Sequence, residues 1–255
     1  MTEKEKLTQV AGLLKKARSA IFITGAGISA DSGLPTYRGI GGIYNDNITE
    51  DGIPIETALA KEMLEKRPQV TWKYLMQIEQ NCRKAKFNRA HEIISEAGKK
   101  IERVLVLTQN IDGFHTDCGT KDVIEIHGNI HNLRCTKCKF RKIVKDYTDL
   151  EIPPSCPQCK SIVRPDVVFF GEMLDIDKLE ILEKELAQGF DIYFWIGTTA
   201  VFPYIQQPIY YAKDTNSPTV EINPSRTEIS GLVDFKIGLG AREALSQIWD
   251  RYQII

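Results

Sequence analysis

An α/β fold, with a parallel sheet and a second, smaller lobe, is what this sequence predicts. Three observations carry that expectation. Short apolar runs alternate with helical patterns along most of the chain; the first run opens straight into the glycine-rich turn GAGISA; and residues 41–84 and 129–165 break the rhythm. Short buried strands alternating with helices form parallel sheets, because the crossover helices cover both faces. At 255 residues there is room for one large α/β domain, alone or carrying an insertion.

Taken in order, residues 3–18 place Leu7, Val10, Leu13 and Leu14 on one face of a helix. AIFIT (20–24) follows as a β-type run, then VLVLT (104–108), VIEI (123–126), VVFF (167–170), IYFWI (192–196) and TVEI (219–222). Helical patterns fall around 89–98, 176–188, 203–212 and 241–252. Residues 41–84 hold two more, at 56–66 and 69–81, with no convincing strand. Residues 129–165 are polar and rich in Cys, Lys and Pro, with little periodicity. The expected division is therefore 1–40, 85–128 and 166–255 for the sheet domain, with 41–84 and 129–165 forming the smaller one.

Composition narrows the classes. A hydrophobic share of 42% supports a real core, and 26% charged residues is ordinary for a soluble chain. Basic and acidic residues balance, 33 against 34, so polyanion binding is not the main activity expected and no nucleic-acid partner is called for. The N-terminus MTEKEKLTQVAGLLKK lacks the apolar centre of a signal peptide. No apolar run approaches the roughly 18 residues of a membrane span. A soluble, cytoplasmic protein is expected.

The turn GAGISA matches the G-x-G-x-x-G/A pattern, with Gly25, Gly27 and Ala30 in the three places. Small residues let backbone approach a pyrophosphate, and a helix N-terminus would supply amide donors. The hydride-transfer version of the pattern then fails. It calls for an acidic residue ending a second strand about 20 residues on, and Glu50 and Asp51 fall there without a strand before them. Arg38 offers a cation close to the phosphates instead.

Cys135-x-x-Cys138 and Cys156-x-x-Cys159 are separated by residues 139–155. That spacing fits a four-thiolate zinc site, closed and therefore structural. Reduced free thiols or redox pairs are the competing readings. His127 ends the run VIEI and precedes Gly128, a carboxyl-end position where open α/β sheets bind ligands. An imidazole there suits a general base. His91, His115 and His131 read as structural. Gln109, Asn110 and Asp112, with Ile111 between them, form a polar cluster past the second run, able to pair with a carboxamide or a ribose hydroxyl. Turn formation by Asn and Asp is the plainer alternative.

Taken together, GAGISADSGLPTYRG, TQNID, the HG of IEIHGN, the two CxxC pairs, RPDVVFFGE, GTTAVFP and Ile222-Asn223 occur in the order seen in sirtuins. Over nearly its whole length the chain resembles a bacterial-type sirtuin, an NAD-dependent protein-lysine deacylase. The resemblance implies a Rossmann-type domain facing a small domain made of a helical insertion and a zinc-ribbon-like module, with NAD consumed in the cleft between them. It implies that Gly25, Ala26, Gly27, Ile28 and Ser29 hold NAD, with Ala26 and Ile28 lining the carboxamide pocket. Thr36, Tyr37 and Arg38 match a mobile T-F-R segment, with Tyr in place of Phe. Asn110 and Asp112 would grip the nicotinamide carboxamide beside Ile111, and Gln109 the ribose. Gly197, Thr198, Thr199, Asn223 and Ala241 would lie on the adenosine side. Val168 would accept from the acyl-lysine NH, and Phe170, Gly171 and Glu172 would meet the substrate chain as an added strand. His127 would act as base on a ribose hydroxyl, giving free lysine, nicotinamide and O-acyl-ADP-ribose.

Sirtuins that prefer succinyl or malonyl groups carry a Tyr-x-x-Arg pair. Aligned on Trp72, those places hold Leu75 and Ile78, so neutral acyl groups are expected. Three other functions compete: a mono-ADP-ribosyltransferase on the same scaffold, a non-catalytic zinc-ribbon adaptor that senses NAD, and an ordinary dehydrogenase. Asp117 and Cys118 receive no role.

Overall fold

The computed structural model describes residues 1–35 and 48–255. In chain order its strands are Ser19–Thr24 (β1), Arg103–Thr108 (β2), Val123–Glu125 (β3), Gly128–Cys135 (β4), Arg141–Ile143 (β5), Val163–Val167 (β6), Ile192–Ile196 (β7), Thr219–Ile222 (β8) and Phe235–Ile237 (β9). The helices are Glu3–Lys16 (α1), Ile55–Ala58 (α2), Lys61–Lys66 (α3), Pro68–Lys84 (α4), Arg89–Ala97 (α5), Phe114–Asp117 (α6), Ile176–Ala187 (α7), Pro203–Gln206 (α8), Pro208–Asp214 (α9) and Ala241–Ile254 (α10). Among the described residues no helix is long and apolar enough to cross a membrane.

Six strands make one sheet in the order β3-β2-β1-β7-β8-β9, parallel throughout. This is the doubly wound, Rossmann-type order, in which the chain reverses direction of winding between two central strands, here β1 and β7. One face packs its side chains against α1, α5 and α10, where Leu7, Val10, Leu14, Ile94, Leu245 and Trp249 are buried. The other face is covered from α7 and α9, through Leu182, Leu186 and Ile209. Register aligns the carboxyl ends: Thr24 lies beside both Thr108 and Ile196, and Thr108 beside Glu125. The residues that follow, Gly25, Gln109, Gly197 and the segment leading to His127, therefore emerge along one edge.

A second sheet, β5-β4-β6, is antiparallel. It and helices α2–α4 share one hydrophobic cluster, in which Trp72 and Tyr147 are fully buried. The Trp72 indole donates to the Val163 carbonyl (3.2 Å), which ties the helical segment to the antiparallel sheet.

Three expectations are corrected. The run VVFF is not a strand of the parallel sheet. Its first residue ends β6 in the small sheet, and Phe170 forms an isolated bridge to Ala60 outside the named strands. The polar stretch 129–165 hides β4 and β5: β4 buries only part of its residues and leaves the rest half-buried, and β5 is exposed throughout, so neither needs a continuous apolar run. The pattern at 203–212 is broken in two at Pro208, whose missing N–H and ring end a helix at its N-terminal side.

Candidate active site

The turn after β1 sits on the turn after β7 with no room between them. Gly25 N donates to the Ile196 carbonyl (3.1 Å) and Gly27 N to the Gly197 carbonyl (2.9 Å). A Cβ on Gly27 would lie 2.6 Å from Gly197 Cα, and one on Gly25 2.8 Å from the Gly197 carbonyl oxygen. The glycines thus serve turn-to-turn contact, a stronger reason than the approach of a phosphate. The expected helix N-terminus is also absent: two 3-10 turns, Ala26–Ile28 and Ala30–Ser32, follow β1 instead. Ile28 is fully buried in the core cluster of the first sheet face and lines neither of the cavities described below.

These turns open onto a cleft of about 950 Å³. Its walls include Gly25, Ala26, Gly27, Gln109, Asn110, Ile111, His127, Gly197, Thr198, Thr199, Asn223 and Ala241, together with Val168, Phe170, Gly171 and Glu172. Ser29 and Asp112 line a smaller adjoining cavity with Asn110 and Ile111. Thr36, Tyr37 and Arg38 lie outside the described residues. Arg226, which the sequence reading passed over, is the only Lys or Arg among the described residues of the cleft wall. Glu50 and Asp51 are elsewhere, in ion pairs with Lys73 at the helical lobe.

The polar cluster after β2 is wired to the first turn. Ser29 Oγ donates to Asp112 Oδ2 (2.8 Å), and Asn110 Nδ2 donates to the Gly25 carbonyl (3.1 Å). Asp112 Oδ1 also accepts from the Phe114 amide (3.1 Å). Burial pushes the Asp112 carboxyl above its ordinary range, while those two donors oppose the shift. Gln109 Nε2 donates to Thr198 Oγ1 (2.8 Å), and Asn223 Nδ2 to the Thr198 carbonyl (3.0 Å), which fixes both amides across the chain reversal.

His127 stands where β3 gives way to β4. Gly128, with φ +86°, leaves no space for a Cβ beside the Asp166 carbonyl at 1.8 Å, so glycine is required there. The His127 ring is held from both sides: Nδ1 is 2.8 Å from the Gln109 carbonyl and Nε2 is 2.6 Å from the Tyr204 hydroxyl. Since a carbonyl only accepts, Nδ1 carries the proton and Nε2 the lone pair. Burial lowers the ring's pKa, the Gln109 carbonyl opposes that, and Lys178 adds to the lowering. A neutral imidazole with its basic nitrogen in the cleft is the result. Tyr204 is a site residue the sequence reading missed; its only signal was its place directly after GTTAVFP.

The segment after β6 is already engaged. Phe170 pairs its backbone with Leu59 and Lys61, and the Glu172 side chain is taken by Arg164. The other three His fall outside the cleft wall. His91 and His115 are buried neighbours at 4.9 Å between ring centroids, and His131 hydrogen-bonds the Lys145 carbonyl.

The four cysteines cluster apart from the cleft, their Sγ atoms all within 4.8 Å of one another. The pairs Cys135–Cys159 and Cys138–Cys156 stand at 3.4 and 3.5 Å. Four thiolates about 2.3 Å from a tetrahedral zinc lie about 3.8 Å apart, so the donor set fits one ion with no open position. The Lys137 and Cys138 amides point at the Cys135 sulfur (3.3 and 3.4 Å). This is a structural zinc-binding site.

A parallel sheet whose reversal point opens on a nucleotide-sized cleft, beside a four-cysteine module, defines a two-lobed α/β protein. The family model described as the Sir2 family matches residues 25–203, and the chain belongs to that family. It is 41% identical to the NAD-dependent protein deacylase 2 of Pseudomonas aeruginosa, over 97% of this chain and 98% of the relative. Among solved structures it superposes on a Sir2 homologue variant in complex with ADP-ribose, at TM-score 0.88 and 29% identity over 96% of each chain. A Sir2 homologue–NAD complex matches at TM-score 0.86 and 29% identity, over 96% of this chain and 93% of the other.

Proposed function

We propose that this protein is an NAD-dependent protein-lysine deacylase. The observation that carries the proposal is a neutral His127, its Nδ1–H fixed on the Gln109 carbonyl, facing a cleft walled by three glycine- or amide-bearing turns. NAD, when bound, supplies the ribose that receives the acyl group as nicotinamide leaves. The chain's own residues do the rest. Gly25–Ser29 and Gly197–Thr199 hold the phosphates and adenosine side, with Asn223 and Ala241 at the adenosine end. Asn110 and Asp112 orient the carboxamide, Gln109 the ribose, and His127 takes the hydroxyl proton. Val168 to Glu172 receive the acyl-lysine chain.

Neutral acyl groups are the preferred substrates in this reading. Leu75 and Ile78 line the cleft, and the neighbouring Tyr74 hydroxyl is turned away onto Asp51 (2.5 Å). No cation is offered there to a succinyl carboxylate by these residues. The division of the chain into a sheet domain (1–40, 85–128, 166–255) and a small domain (41–84, 129–165) belongs to the same proposal, as does a cytoplasmic location.

The test is product mass with acetyl- and succinyl-peptides. O-acyl-ADP-ribose, faster from the acetyl-peptide, is expected; ADP-ribosylated protein would favour the transferase alternative. His127→Ala should lower deacylation at least about a hundredfold while ADP-ribose still binds.

A further inference from the structure

The lone pair that His127 needs is already in use. With Nδ1–H on the Gln109 carbonyl, Nε2 is the neutral ring's sole acceptor, and the Tyr204 hydroxyl at 2.6 Å must be its donor. A base accepts a proton only at a vacant lone pair, so a substrate hydroxyl reaching Nε2 meets a nitrogen that is occupied.

The surroundings of Tyr204 give it somewhere to go. It is the second residue of the short helix α8, directly after Pro203, and is half-buried. Its ring stacks on Phe202 at 5.5 Å, and both rings stand edge-on to His127. Tyr204 borders two spaces at once: the cleft, and an outer groove of about 910 Å³ lined by Leu174, Ile176, Leu179, Gln207 and Tyr210. A side chain between two voids can leave one for the other without opening a packed core. Burial raises its hydroxyl to about 12, so it remains a donor, never a competing base, at neutral pH.

We propose that Tyr204 is a removable cap on His127: it holds the ring oriented and neutral, and competes with the substrate's ribose hydroxyl for Nε2. The inference rests on the reading of His127 as the base. Displacing the cap reduces apparent ligand affinity by the fraction of time that Nε2 is free. A neutral hydrogen bond of ordinary net strength makes that fraction about one in three to one in ten.

The experiment measures ADP-ribose binding by titration calorimetry for the wild-type protein, Tyr204→Phe, His127→Ala and the double variant. ADP-ribose carries the relevant ribose and is not turned over. Tyr204→Phe should bind it about three- to tenfold more tightly, with kcat/KM for NAD rising in step. In the His127→Ala background the same change should have less than about a twofold effect, because the cap acts through the imidazole. ADP, which lacks that ribose, should bind wild type and Tyr204→Phe alike. Equal or weaker ADP-ribose binding by Tyr204→Phe would overturn the cap, as would the same gain in the His127→Ala background. A large fall in kcat at saturating NAD would overturn it too, because Tyr204 would then be passing the proton itself. If the wild-type protein binds no ADP-ribose or yields no O-acyl-ADP-ribose, the assignment of the base fails and the cap falls with it. If it does both, and His127→Ala is inactive, only the cap is at stake.

Discussion

Arg164 and Glu172 form a two-pronged ion pair, Nη1 to Oε1 at 2.5 Å and Nη2 to Oε2 at 2.8 Å, closing the segment that runs from β6 into the cleft. The guanidinium also lies 3.8 Å from the centre of the Phe169 ring, and the Phe169 amide donates to Glu172 Oε2 at 3.0 Å. The loop from Val168 to Gly171 is thus wound around a buried cation, which holds its backbone at the cleft wall.

Breaking that pair should be costly. Glu172→Gln leaves Arg164, itself buried, without its counter-charge, and destabilisation of about 3–5 kcal/mol is expected, read from urea midpoints. Burial alone would push the Glu172 carboxyl up, but the Arg164 and Phe169 hydrogen bonds outweigh it and its pKa is lowered. Its contribution is therefore complete above the unfolded value near about 4.3 and is lost as pH falls below it.

Gly27→Ala should be poorly tolerated. Its methyl would meet the Gly197 backbone, which has no rotamer to move. A loss of about 1–3 kcal/mol or more is expected from such overpacking. Thermal denaturation, with and without NAD, would show a lower midpoint and a diminished ligand-induced rise.

The buried pair His91 and His115 should make the fold sensitive to acid. Burial lowers His91 to about 4 and His115 well below its ordinary value, with His91 itself disfavouring a charge on His115. Each is neutral when folded and picks up a proton on unfolding below about 6.5, so stability falls as pH drops from there toward 4. For His91 the loss reaches about 3 kcal/mol across that window. Urea midpoints at several pH values would trace it, and His91→Gln should flatten the slope.

Removing zinc should unfold the small sheet first. The cysteines sit at the Cys135 end of β4 and in the segment between β5 and β6, and β5 is exposed along its length. One zinc per chain is expected by metal analysis, falling to near zero in Cys156→Ser. A chelator should then abolish amide protection around 130–165 while β1, β2 and β7 stay protected, as local unfolding predicts.

The elements legible in the sequence were those with strong periodicity. α1, α5 and α10 announce themselves by apolar spacing, and the central strands by short apolar runs, because both faces of that sheet are buried. The cysteine spacing was equally plain, since thiolate geometry constrains chain length directly. What stayed hidden was structure whose stability comes from partners distant in sequence. β4 is partly polar because its polar side chains are only half-buried and it is held by pairing with β5 and β6, with the four-cysteine cluster at its end. VVFF looks like a core strand but joins a sheet with which it shares no local pattern. Ile28 stands inside the nucleotide motif, yet its side chain faces the core.

By itself, the sequence determined which chemistry was present: a glycine turn, an amide-rich strand end, one histidine at a carboxyl edge and four thiols at zinc spacing. Those features are local, and local spacing is enough to specify them. Only the tertiary structure decided which proton His127 carries and who meets its lone pair. Gln109 and Tyr204 stand 18 and 77 residues away, and a tautomer is chosen by hydrogen-bond partners that only folding brings together.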